Sequence, residues 1–352
     1  MSLNPLKIRT LRELLTDLCA RGFITEDRIS AIASVLTSPK EEERSPWFIM
    51  ALQALGAWIA SAFLFGFIYD AGWCPEERLS VFFVGLVLIA AATGLRSLIK
   101  YVFFVQLALA WSVTGHAFVL IAAGWNSGPA SVLVPVAAGF LCPVLYVLYR
   151  DSIHRFLSTI LVTASTTTWL ILSGNHHWLH LLILVETGVT GLIFVRCPLS
   201  IPLRPLGYAF AVSLLVTPFL VLMPMEQLNT VWWPSNLVLT VAALALYAWI
   251  AGNPLTIERE PLIFVVLATV ALGFVSTPGL LAAIGLMVLG YALYEKLLLG
   301  LGLVFLPLYL VVYYYDLKLE LAYKSWVLVA SGSTLLLVRW YLSRRPWTQE
   351  EA

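Results

Sequence analysis

The chain has 352 residues, 60% of them hydrophobic and only 12% charged, with a mean hydropathy of +0.89. Soluble domains are roughly 45–50% apolar and about 25% charged, so a water-facing globule is excluded, as are disordered, collagenous and disulfide-scaffold chains. Lys plus Arg number 21 against 20 Asp plus Glu, and no basic excess points to nucleic acid. What remains is an all-α, polytopic membrane protein.

Residues 1–46 are polar and of mixed charge, without the apolar stretch of a cleavable signal peptide. The first hydrophobic span is therefore expected to act as an uncleaved insertion signal. Residues 6–36 read as two short amphipathic helices. Leu11, Leu14, Leu15 and Leu18 line one face of the first, and Gly22 closes it. Thr25 can cap the second, with Glu26 and Asp27 in its first turn, where carboxylates suit the helix dipole. Ile29, Ile32, Val35 and Leu36 form its apolar face. Such a pair is too small to bury a core alone, so it is expected to dock on the membrane, the bundle, another copy or a partner. Residues 37–46 form a charged linker.

A helix needs roughly 20 apolar residues to cross about 30 Å of hydrocarbon. The period-2 alternation of membrane barrels is absent. Twelve runs fit helices: 47–69, 79–95, 101–123, 129–149, 156–173, 177–195, 206–223, 237–252, 262–276, 280–296, 298–315 and 325–341. Thr277-Pro278-Gly279 divides the ninth from the tenth, as a tight turn or as a kink in a re-entrant segment. The expected organisation is a helical pair and linker at 1–46, a bundle at 47–341 and a tail at 342–352. With the N-terminus cytoplasmic, basic residues favour the inside. Seven come from residues 1–46, eight from the even-numbered loops and three from the tail, against Arg78, Lys318 and Lys324 outside. Both termini are thus expected in the cytoplasm. Trp47, Trp73, Trp125, Trp178, Trp232, Trp233, Tyr313, Tyr314, Tyr315 and Trp340 flank span ends, as headgroup-level rings do. Cys19, Cys74, Cys142 and Cys197 make no C-x-x-C pair, and no intrachain disulfide is expected.

The fifth span carries Thr159, Thr163 and Thr167 at i,i+4 spacing. They either line a polar path facing the sixth span or act as interhelical glue. In the sixth span, Glu186 stands at the middle, where an ionisable group is costly and a functional site is the default hypothesis. At 100° per residue, Glu186, Thr190, His176, Thr187, His180, Gly191, His177 and Gly188 share one arc of roughly 200°. This polar and small face is expected to look inward. Glu186 is either a proton-binding carboxyl or substrate contact, or a protonated acid hydrogen-bonded between helices. His176 and His180 are i,i+4, a spacing that can chelate a metal, and His116 in the third span could join them. No H-E-x-x-H accompanies them, and interfacial histidines are the simpler reading. A relay from these histidines to Glu186 is a further option. Glu295-Lys296 reads as an interfacial pair at a helix end.

Asp316, Lys318, Glu320 and Lys324 form a short outer loop with Leu317, Leu319 and Leu321 between them, either a partner-docking site or a locally ion-paired loop. The text YYYDLKLELAYKSWVLVASGSTLLLVRWYL from Tyr313 resembles the end of a bacterial membrane-protein family, domain-of-unknown-function family 4401. LLLGLGLVFLPLYL before it and Arg155-Phe156-Leu157 fit the same pattern. The N-terminal Leu-rich helix with Gly22-Phe23-Ile24-Thr25 is similar to the start of a related family, numbered 2157. The resemblance implies a multi-pass helical architecture in a bacterial inner membrane and suggests a small single-pass GDYxxLxY-type protein as a companion; the family name carries no activity.

Walker A, G-x-S-x-G and H-E-x-x-H motifs are absent, and no cofactor is implied. The first expectation is a non-enzymatic membrane subunit or scaffold for a partner. The second is a proton-coupled transporter using Glu186, His116 or His180, and Thr187, Thr190, Thr163 and Thr167. An intramembrane metal enzyme on His176 and His180 ranks last.

Overall fold

In hydrocarbon every backbone amide must find its partner within the protein, and a helix does this within one segment. The computed structural model describes residues 47–70, 77–99, 101–126, 128–149, 151–197, 201–222, 232–252 and 259–316. It is helical throughout these residues, with no strand among them. The helices are α1 (Trp47–Asp70), α2 (Arg78–Leu98), α3 (Val102–Ala123), α4 (Leu133–Leu148), α5 (Ser152–Leu172), α6 (Leu179–Gly191), α7 (Arg204–Leu222), α8 (Trp233–Ala251), α9 (Arg259–Val275), α10 (Pro278–Ala292) and α11 (Lys296–Asp316). Each coincides with one of the first eleven apolar runs. Six helices, counting α6 from His176 through its π-helical end at Arg196, are long and apolar enough to cross a membrane. Shorter apolar helices accompany them, among them α4 and α10. The N-terminal pair, Cys19, Cys74, the loop residues Lys318, Glu320 and Lys324, the twelfth run and the tail lie outside the described residues. Cys142 and Cys197 are free thiols.

The chain divides into Met1–Gly56 and Ala57–Ala352. In the first unit the described part is the opening of α1, from Trp47 to Gly56, whose Phe48 and Leu52 are exposed. All that follows concerns the second. Helix directions there follow from the pairs that touch. A Cβ on Gly85 would meet the carbonyl of Gly115, and Arg78 Nε donates to the carbonyl of Ala122, so α2 and α3 are antiparallel. Cys142 meets Thr159, and Arg155 donates to the carbonyl of Tyr146, making α4 and α5 antiparallel. Thr163 meets Ser213 and Thr167 meets Thr217, so α5 and α7 run parallel. Antiparallel α6 lies against α7, with Glu186 at Thr217 and Phe194 at Tyr208. Gly273 packs on Thr240, and Asn236 donates to the carbonyl of Ser276, so α8 and α9 are antiparallel. Only Ser276 and Thr277 separate α9 from α10, and Pro278 takes the first position of α10. The break is a tight turn between helices, because proline fits a helix start and not its interior.

Two hairpins close on glycine. Cβ atoms at Gly85 and Gly115 would lie 2.8 and 2.7 Å from each other's backbone oxygen. Between α10 and α11, a Cβ on Gly302 would lie 2.7 Å from the carbonyl of Ala283, and one on Gly290 2.5 Å from the amide of Leu299. Such close approach suits membrane helices, which associate through packing rather than through the hydrophobic effect. Large apolar side chains point outward: Phe63, Phe140, Leu267 and Phe274 are all more than half exposed. The polar side chains are inside, as the next section describes.

Gly115→Leu should therefore unfold the α2–α3 contact. We expect a loss of about 1–3 kcal/mol, as for overpacking, read as a lower thermal midpoint in detergent. Gly139→Ala, where a Cβ meets open space, should leave the midpoint unchanged or raise it. Equal midpoints for both variants would contradict the packing.

Candidate functional site

Glu186 is fully buried, on a narrow inward stripe of α6 formed by Leu179, Ile183, Glu186, Thr190 and Ile193. The spacing follows the helical repeat. The inward face is thus narrower than the arc expected from sequence. Its far side, with His177 and Gly188, is exposed. Thr187 and Thr190 turn their hydroxyls back onto the carbonyls of Ile183 and Glu186, both at 2.7 Å.

The Glu186 carboxyl is reached from α7. Thr217 Oγ1 donates to Glu186 Oε1 at 3.1 Å. A hydroxyl has one proton. With that proton on Glu186, the 3.3 Å contact of Thr217 with Thr167 must be an acceptance, so Thr167 donates to Thr217. One turn away, Thr163 shares its proton between the carbonyls of Thr159 and Ile160 at 3.2 and 3.1 Å. It also shares a hydrogen bond with Ser213 Oγ at 2.5 Å. Two hydroxyl rungs, one turn apart, join α5 to α7, and the second ends on Glu186. All five side chains are at most 5% exposed. Glu186 Oε2 is buried and has no hydrogen-bond partner among the described residues. Because Oε1 accepts, a proton on this carboxyl would sit on Oε2.

The surrounding helices hold this arrangement from both ends. Pro218 lacks an amide proton and interrupts the ladder of α7. Near that gap, the buried Tyr309 of α11 donates its hydroxyl to the carbonyl of Leu215. At the other end, Arg204 pairs with Glu295 at 3.2 Å, and Tyr208 donates to Glu295 at 2.9 Å. Glu295 thus ties α7 to the α10–α11 turn. This corrects the expected pairing with Lys296, because Arg204 and Tyr208 present both a charge and a donor to the carboxylate.

The histidines separate into two groups, and neither touches Glu186. His180 Nδ1 shares a hydrogen bond with Ser235 Oγ at 2.7 Å, joining the starts of α6 and α8. His176 lies on the preceding 3-10 turn, with Nδ1 buried and unpartnered. His116 sits with His154, their ring centroids 5.7 Å apart. His154 Nε2 meets Ser112 Oγ at 2.7 Å, Nδ1 meets Ser158 Oγ at 3.3 Å, and the ring lies against Tyr149. Asp151 caps α5 through the amides of Ile153 and His154 and pairs with Arg96 at 3.5 Å. Thirteen residues of α5 separate His154 from Thr167, about 20 Å of helical rise. His116 is therefore outside the Glu186 site. No group of three or more His, Cys, Asp or Glu that could hold a metal occurs among the described residues.

Membrane-competent helices, an apolar exterior and a polar interior define a helical membrane protein. Residues 46–345 match the model of a domain of unknown function (DUF4401), and the chain belongs to that family. No curated protein and no solved structure matches it.

The donor chain predicts an order of stabilities. Thr217→Val leaves both Glu186 oxygens without a partner and should lose about 1–3 kcal/mol. Ser213→Ala removes one hydroxyl pair and should lose about 0.6 kcal/mol, the average for membrane helices. Unfolding in mixed micelles would measure both. Equal losses would contradict the assignment of the Thr217 proton to Glu186.

Proposed function

We propose that this is a proton-coupled carrier of a small solute, with Glu186 as its proton-binding group. The carrying observation is the half-satisfied carboxyl: Thr217 donates to Oε1, and Oε2 is buried with no partner among the described residues. A permanently neutral structural acid would gain from placing its O–H on an acceptor, and hydroxyls and carbonyls are dense on the same helices. A bare oxygen suits a group whose proton comes and goes, exchanged with water or solute. The threonine and serine rungs position α7, and through it the carboxyl. Thr187 and Thr190 shape the α6 backbone beside it. His116 and His180 are not needed in this scheme.

We place the protein in a bacterial inner membrane as a twelve-span chain with both termini cytoplasmic. The alternating directions of neighbouring helices support this topology, as does the Lys and Arg distribution. A second reading, a membrane subunit for a small single-pass partner of the GDYxxLxY type, rests on residues 1–46, with their resemblance to family 2157, and on the Asp316–Lys324 loop. Purification from the native membrane with a stoichiometric companion would favour it.

Proteoliposomes enclosing a pH-sensitive dye test the carrier reading. We expect one of a panel of amino acids, sugars and organic acids to drive internal acidification with the wild-type chain. Glu186→Gln, reconstituted at equal density, should abolish it. Acidification that survives in Glu186→Gln, or no response to any solute, would overturn the reading.

A further inference from the structure

A crevice of about 490 Å³ lies between α6, α8 and α10. Its existence follows from missing side chains. A Cβ at Gly188, Gly191 or Gly285 would meet nothing within 4 Å, and four alanines of α8 and α10 interrupt the leucines and valines of the remaining wall. Its rim residues Leu184, Leu192 and Val241 are exposed on the apolar exterior. The opening therefore faces the lipid.

One end differs from the rest. The hydrogen bond of His180 to Ser235 joins the starts of α6 and α8, and the two helices line the crevice together as far as Arg196 and Trp249. Those two residues therefore mark the same end. Arg196 is exposed, and no carboxylate among the described residues pairs with it. It closes a π-helical turn, Leu192–Arg196, a feature frequent at functional sites. An indole and a guanidinium at the same end of an apolar trough match the order of a phospholipid: phosphate, interface, acyl chain. Guanidinium pairs with phosphate through two parallel hydrogen bonds, and basic pockets between membrane helices bind anionic headgroups.

We propose that this crevice is a binding site for an anionic phospholipid, with its phosphate on Arg196 and an acyl chain along Gly188, Gly191 and Gly285. The site does not depend on protonation of Glu186, whose side chain points to α7 and not into the crevice. Thr190 links the two, lining the crevice while donating to the Glu186 carbonyl.

The test is native mass spectrometry of the delipidated full chain titrated with phosphatidylglycerol or phosphatidylcholine. Wild type should bind phosphatidylglycerol about tenfold more tightly, because both lipids offer a phosphate but the choline cation of phosphatidylcholine neutralises it and is repelled by Arg196. Arg196→Gln should erase that preference, and Arg196→Lys should restore part of it. Gly188→Leu, whose added Cβ meets nothing within 4 Å, should lower occupancy by both lipids. Each variant, like wild type, must elute as a single species for the comparison to count. An unchanged preference in Arg196→Gln, or unchanged occupancy in Gly188→Leu, would overturn the proposal. So would displacement of the lipid by excess free glycerol phosphate, which would make this a site for a soluble anion.

Discussion

A single hydroxyl, that of Thr217, joins three helices. It accepts from Thr167 on α5 and gives its proton to Glu186 on α6, while sitting on α7. In water such a group would exchange freely with solvent. In hydrocarbon each polar group must find a partner within the protein, so the direction of that proton fixes the register of the helices around it. The parallel pairing of α5 and α7 follows from the two rungs, and the height of Glu186 follows from the second. Tyr309 and Glu295 then tie α7 to α11 and to the α10–α11 turn.

Two kinds of contact share the work of holding the bundle. Where helices meet through glycine, at α2–α3 and α10–α11, backbones approach closely and dispersion does most of the joining. Where they meet through hydroxyls, at α5–α7 and at the His154 cluster, hydrogen bonds set the register and leave polar atoms inside. His116 Nε2 and the Tyr149 hydroxyl are buried and unpartnered among the described residues, as Glu186 Oε2 is. Such atoms are sites for internal water. Others among the described residues lie on α8, at Asn236 and Thr240, and at the α9–α10 turn, at Ser276 and Thr277.

The periodic and the isolated features were legible in the sequence. Eleven apolar runs gave eleven helices because length and hydropathy suffice when every backbone group must bond within its own segment. Glu186 stood out as an acid in an apolar run, and Thr159, Thr163 and Thr167 as one face. Their partners did not stand out. Ser213 and Thr217 are ordinary residues in an ordinary span, and only the approach of α7 gives them meaning. His154 was missed because the fifth span was read from residue 156. The sequence signal was present: Asp151 followed by Ser152 is a helix start, which extends α5 by one turn and buries the histidine. The sixth span misled in the other direction. Its small and polar residues form a wide arc, but Gly188 and Gly191 open a crevice instead of packing on a neighbour. Composition separates polar from apolar faces; it does not distinguish a packed small residue from an empty one.

The central claim is that Glu186 takes and releases a proton inside the bundle, with Thr217 holding Oε1. Infrared difference spectra of the reconstituted chain, recorded as the pH is lowered, test it most directly. A growing carbonyl-stretch band of a protonated carboxyl is expected in wild type. It should be absent in Glu186→Gln and displaced to higher frequency in Thr217→Val, where the carbonyl oxygen loses its donor. A band that persists in Glu186→Gln, or a wild-type spectrum without a pH-dependent carboxyl band, would contradict it.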